Sequence, residues 1–123
     1  MLPTPPETYY ITLPTPYVPN SPYPVLVYRS FLRALSPPNP SSICASIEPN
    51  NWIKGGVFKH YPAHHFHSVT HECYAVFGGR SKLLLGRGPL EMMEEGRVVV
   101  ELRVGDAIVL PAGVAHCSMN AIP

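Results

Sequence analysis

Near Trp52 the spacing of apolar residues along the chain changes. Beyond it, short apolar or alternating runs recur at Ile53–Phe58, Ala63–His67, Glu72–Phe77, Lys82–Gly86, Val98–Arg103, Ala107–Leu110 and Val114–Met119. Runs of this length, with a period of two or with no polar break, read as β-strands. Between them stand turn-formers: Gly78-Gly79, Gly86-Arg87-Gly88-Pro89, Gly105-Asp106 and Pro111-Ala112-Gly113. Met92–Glu95 reads as a loop. No amphipathic helical stretch separates the strands, so the pattern predicts an antiparallel all-β fold, either a sandwich or a barrel.

Before Trp52 the pattern is different. Of the 16 prolines, 11 fall within the first 40 residues. Proline cannot donate to a ladder or sit in a helix interior, so this stretch predicts an extended arm. Within it, Tyr9–Thr12 reads as a short strand and Val25–Tyr28 as an edge strand, and Arg29–Leu35 predicts a turn or two of helix stopped before Pro37 and Pro38. The chain thus divides into an arm, 1–50, and a β-rich part, 51–123, built as one domain.

Composition narrows the function classes. With 123 residues the chain has room for one core, and 46% hydrophobic against 14% charged residues excludes a disordered tail. The net charge is +1 and no basic run occurs, so nucleic acid is not an expected partner. Cys44, Cys73 and Cys117 are odd in number and form no CxxC pair, which predicts free thiols in a reducing compartment. No cation precedes Arg29 and no run approaches 18 apolar residues, so neither a signal peptide nor a membrane span is expected. A soluble, cytoplasmic protein is the expectation.

Chemistry concentrates in the histidines, five of six of which lie between positions 60 and 71. His65 and His67 are two apart, so on a strand both face the same side. Glu72 opens the next strand, close enough to turn back towards them, and His116 follows a tight Pro-Ala-Gly turn on a distant strand. Three neutral imidazoles and a carboxylate suit one first-row divalent ion and leave positions open for water or substrate. His64 has the opposite parity to His65, and His60 is set apart by Pro62; both read as structural or surface residues. The Glu94-Glu95 pair reads as a solvated loop and Trp52 as a core anchor.

The spacing around these residues resembles a known family. His65-Phe66-His67, four residues, Glu72, six residues, Gly79 is similar to the first cupin motif, with Lys59 where its leading glycine usually stands. Gly105, five residues, Pro111-Ala112-Gly113, two residues, His116, three residues, Asn120 is similar to the second. The resemblance spans Trp52 to Asn120. Through Tyr23-Pro24-Val25-Leu26-Val27-Tyr28-Arg29 and the run around His67 it extends to the small YjlB-like cupins. It implies a jelly-roll barrel (the RmlC-like double-stranded β-helix) of six to eight strands, with a metal ion (iron, manganese, nickel or zinc) at its mouth.

Strand parity fills in the surroundings. If His116 and Glu72 point inward, so do Ser118, Asn120, Tyr74 and Val76, while Cys73 and Cys117 point out. Those four inward residues are the expected pocket lining, with Tyr74 the one titratable side chain able to assist as a catalytic group. His71, next to Glu72, reads either as a residue that orients that carboxylate or as a solvated turn histidine. Apolar residues on both faces (Cys73, Ala75 and Phe77, then Leu83-Leu84-Leu85) call for a cover: the arm, a second subunit, or both, with a homodimer preferred.

Two functional readings follow. The first is a metal-dependent enzyme on a small organic molecule; the resemblance implies dioxygenase chemistry first, then isomerase or decarboxylase. The alternative is a non-catalytic module that binds a small ligand or serves assembly. The chain stops three residues after the second motif, where similar small cupins run on, so a truncated barrel with an open edge beside His116 is a further expectation.

Overall fold

The computed structural model describes residues 4–35, 38–58, 62–88 and 98–122. Seven strands and one short helix follow in the order β1 (Glu7–Tyr9), β2 (Val25–Tyr28), α1 (Pro40–Ile47), β3 (Glu72–Ala75), β4 (Arg80–Leu85), β5 (Val98–Arg103), β6 (Ala107–Leu110) and β7 (His116–Ile122). They form two antiparallel sheets, one ordered β1-β2-β6-β3 and the other β5-β4-β7. The fold is all-β, as the pattern predicted.

Alternation builds the core. Val25 and Val27 of β2 and Ile108 and Leu110 of β6 face inward from one sheet; Leu83 and Leu85 of β4 and Val100 and Leu102 of β5 face inward from the other. Each fully buried side chain of this size contributes about 1.5–3 kcal/mol. Ile11 of the arm enters the same cluster, and Val18 is buried too. The arm is therefore part of the domain, with β1 and β2 completing the first sheet.

Several expected elements differ. The first strand is Glu7–Tyr9 where Tyr9–Thr12 was expected, and β2 lies between β1 and β6 and is not an edge. Ala63–His67 forms one isolated bridge at His65 in place of a strand. Arg29–Leu35 is not helical: Ser30 takes a left-handed φ of 52°, and Leu32 donates to the Gly105 carbonyl at 2.9 Å instead of continuing a helix. The helix lies further on. Its Asn39 cap accepts from the Ser42 amide at 3.0 Å, the Ser42 hydroxyl oxygen accepts from the Asn39 amide at 3.1 Å, and Pro40 sits in the first turn. Residues 53–58 join no ladder; Gly55 and Gly56 interrupt the run and Ile53 is 93% exposed. Trp52 is only half-buried and stands outside the core cluster. His60, Lys59, the 92–95 loop and the Glu94-Glu95 pair lie outside the described residues.

The register shifts once. Leu83 pairs with Ser118 but Lys82 pairs with Asn120, so Met119 is an extra residue on β7. The alternation running from His116 to Ser118 therefore does not extend to Asn120, and the parity argument for that residue fails at the bulge; its side chain lies outside the described residues.

Candidate metal centre

His116 opens β7, opposite Leu85 of β4, and is 2% exposed. His65 lies in an extended segment joined to it by a single antiparallel bridge: the His65 amide donates to the His116 carbonyl at 3.1 Å and the His116 amide to the His65 carbonyl at 2.9 Å. Residues opposite one another across such a bridge share a face. The rings follow, with centroids 4.3 Å apart. His67, two residues on, faces the same way, and its carbonyl accepts from the Gly113 amide at 2.8 Å. Glu72 opens β3 opposite Leu110.

These four side chains converge. One ligand atom from each of His65, His67, Glu72 and His116 lies within 4.8 Å of all the others. Glu72 joins two of them: Oε1 is 2.9 Å from His116 Nε2 and Oε2 is 2.9 Å from His67 Nε2. The second contact is an approach without a hydrogen bond, because the oxygen lies off the nitrogen's bonding direction and Nε2 is left buried without a hydrogen-bond partner. Yet the His67 side chain as a whole keeps 41% of its surface exposed. The ring thus turns its polar nitrogen inward from an open position.

Backbone carbonyls select the histidine tautomers. His116 Nδ1 lies 3.0 Å from the Val114 carbonyl, and His65 Nδ1 lies 2.9 Å from the Ala63 carbonyl. A carbonyl can only accept, so each Nδ1 carries the proton and each neutral ring presents an Nε2 lone pair. Burial pushes the Glu72 carboxyl up. A hydrogen bond from Tyr74 and, at the acidic pH where the imidazoles carry a second proton, a hydrogen bond from His116 and the charges of His116 and His67 outweigh it, holding the group at about 2. An ionised carboxylate and imidazole lone pairs turned to one point repel each other unless a cation lies between them. The donor atoms lie close enough together to be shared by one ion. The donor set fits a divalent metal ion.

The neighbours divide into several roles. Tyr74 Oη lies 3.3 Å from His116 Nε2, at the edge of the cluster. Val76 packs against the main core, and Ser118 stands two residues from His116 on β7. His71 is exposed, and its Nδ1 accepts from the Ala112 amide at 3.0 Å; it braces the Pro111–Gly113 turn, where the sequence suggested the carboxylate or solvent. His64 turns away: its Nδ1 is 3.0 Å from the Arg87 carbonyl and its Nε2 is 3.6 Å from Cys117 Sγ. Parity had set both residues aside, and they meet on the opposite face. Burial and the Glu72 charge push the Cys73 thiol up to about 11, so it stays protonated. A cleft of about 250 Å³ adjoins His65, walled by Tyr17 and Val18 of the arm with His64, Phe66 and Gly88.

Fold and site together define an all-β protein of two antiparallel sheets that carries a three-histidine, one-glutamate cluster able to hold a metal ion. The chain is similar to the uncharacterized protein YjlB of Bacillus subtilis (strain 168), 31% identical over 107 residues that make up 86% of this chain. It spans 58% of the length of that relative. No family model and no solved structure matches the chain. Among the described residues, no helix is long and apolar enough to cross a membrane.

Proposed function

We propose that the protein is a cytoplasmic cupin, its two sheets forming a jelly-roll barrel, that binds one divalent ion (iron, manganese, nickel or zinc) through His65, His67, Glu72 and His116. We propose further that it acts on a small organic molecule, with dioxygenase chemistry first and isomerase or decarboxylase chemistry next. The single observation that carries the reading is the convergence of four donor atoms from three separate chain segments, with tautomers already set. The motif spacing and the likeness to YjlB support the class.

A bound ion supplies Lewis-acid polarisation of substrate oxygens and, for a redox-active metal, chemistry towards dioxygen. The chain's own residues do the rest. His65 and His116 hold their Nε2 atoms on target through the Ala63 and Val114 carbonyls. Glu72 provides the negative charge, and Tyr74 keeps a hydroxyl proton beside His116 that is positioned for transfer to a bound molecule.

Metal analysis of protein purified without added metal tests the site: near-stoichiometric transition metal is expected, lost in the His65→Ala/His67→Ala double variant. Metal-free wild type that takes up none under reducing conditions at neutral pH would refute it. Oxygen uptake with diols, thiols and 2-oxo acids then tests the reaction class.

Pairing of two copies completes the reading. On the outer face of the second sheet, Leu84 lies opposite Val99 and Cys117, with Val99 and Met119 exposed. A homodimer mass by light scattering is expected; a clean monomer at tens of micromolar would count against it.

A further inference from the structure

Asn20 belongs to the proline-rich arm, yet it is 7% exposed and its amide reaches across the domain. Nδ2 donates to the Leu13 carbonyl at 2.8 Å and to the Gly86 carbonyl at 3.1 Å, while Oδ1 accepts from the Ala115 amide at 3.4 Å. Ala115 is 95 residues away in sequence and immediately precedes His116. The Gly86 amide in turn donates to the Ala115 carbonyl at 2.8 Å. Asn20 therefore closes the end of the β4–β7 ladder where His116 begins.

The bond to Ala115 has a specific geometry. The amide N–H of Ala115 and the carbonyl of Val114 belong to one planar peptide unit. At one edge of that unit the N–H donates to Asn20; at the opposite edge the carbonyl accepts from His116 Nδ1 at 3.0 Å. We propose that Asn20 is a positioning residue for the metal centre: by fixing the 114–115 peptide plane, it holds His116 in the tautomer whose Nε2 faces the cluster.

The local packing is built for this contact. Asn20 takes a φ of 51°, a conformation asparagine tolerates better than most residues. Its carbonyl lies 2.5 Å from where a Cβ on Gly113 would stand, and Gly113 itself has a φ of 96°. Only a glycine lets the arm come this close to the turn ahead of His116. The 3.4 Å bond is long, but the Gly86 bonds on either side hold its ends in place.

The inference rests on His116 being a metal ligand, and the test separates the two. Asn20→Gly removes the amide while keeping the backbone free to hold its φ. In metal-free protein at alkaline pH, nitrogen-15 spectra of the His116 ring should show Nδ1-protonated imidazole in wild type and a mixture in Asn20→Gly. Zinc affinity of the variant should fall about ten-fold, the low end of the ~10–100-fold range for groups that orient ligands. An unchanged His116 tautomer in the folded variant overturns the proposal, even if affinity falls, since Asn20 would then be a structural tie alone. If the variant does not fold, hydrogen exchange on wild type decides instead. Zinc loading should slow exchange at the Ala115 amide several-fold more than at Gly86, and equal slowing overturns the relay. Wild type that binds no zinc defeats the metal reading, while the tautomer comparison still decides the role of Asn20.

Discussion

Saturating metal-stripped protein with zinc or manganese is expected to raise its thermal midpoint by about 15 °C, and Glu72→Gln to remove most of that gain. An ion present at a thousand times its dissociation constant stabilises the folded state by about 4.1 kcal/mol. For a domain of this size, each 1 kcal/mol moves the midpoint by roughly 3–5 °C. Glu72→Gln preserves shape and volume but replaces the one anionic donor, whose oxygens stand 2.9 Å from two histidines, with a neutral amide. In the absence of metal the variant should be no less stable than wild type, because the amide can donate to the His116 Nε2 lone pair and relieves the crowding of acceptors. With metal, its shift should drop below about a third of the wild-type value. Circular dichroism melts with and without the ion check both halves. A full shift in Glu72→Gln would show that the ion binds elsewhere.

Asp106→Ala is expected to cost about 3 kcal/mol. Asp106 is 5% exposed at the turn between β5 and β6. One carboxylate oxygen accepts from the Ser30 amide at 2.9 Å; the other accepts from the Arg103 amide and the Arg29 guanidinium, each at 2.9 Å. Truncation strands two backbone donors and one face of Arg29. Burial pushes the Asp106 carboxyl up, but the Ser30 and Arg103 amides and Arg29 outweigh it and hold the group below the usual range. A carboxyl lowered in the folded state stabilises it above the unfolded value near 3.9, and that stabilisation is lost as pH falls through the lower folded value. Wild type should therefore lose stability below about pH 4 more steeply than Asp106→Asn. Urea titrations at pH 7 and pH 3 measure both effects; parallel curves for the two proteins would contradict the assignment.

How much of this was legible in the sequence depends on the range of the interaction. β2, β5 and β6 span the residues where short apolar runs between turn-formers placed them, although β2 lies between β1 and β6 and not at the edge expected of it. The grouping of His65, His67, Glu72 and His116 was legible from its spacing: His65 and His67 share a face two residues apart, and parity set aside His64, Cys73 and Cys117. Residues 53–58 have strand-like composition but no partner strand, and pairing is a property of the fold. The Met119 bulge inserts one residue that no local pattern announces, which is why the reading carried Ser118 and lost Asn120. The Asn39-Pro40-Ser41-Ser42 start of the helix carries a cap signal, but a helix of 8 residues is too short to show a helical period among the surrounding prolines. Asn20 had no signal: two of its three partners, Gly86 and Ala115, lie 66 and 95 residues away.

The single bridge between His65 and His116 gives the site two unequal halves. Glu72 and His116 open strands already locked into their sheets, so a two-donor platform exists as soon as the domain folds. His65 and His67 ride on a strip fastened at that bridge, at the Gly113–His67 bond and through His64 to the Arg87 carbonyl and Cys117. An ion arriving from solvent would thus be caught first by the platform and then latched by the strip. Departure would run in reverse, by peeling the strip, without any need for the sheets to come apart. The lifetime of a loaded site would then follow local opening of that strip and not global unfolding.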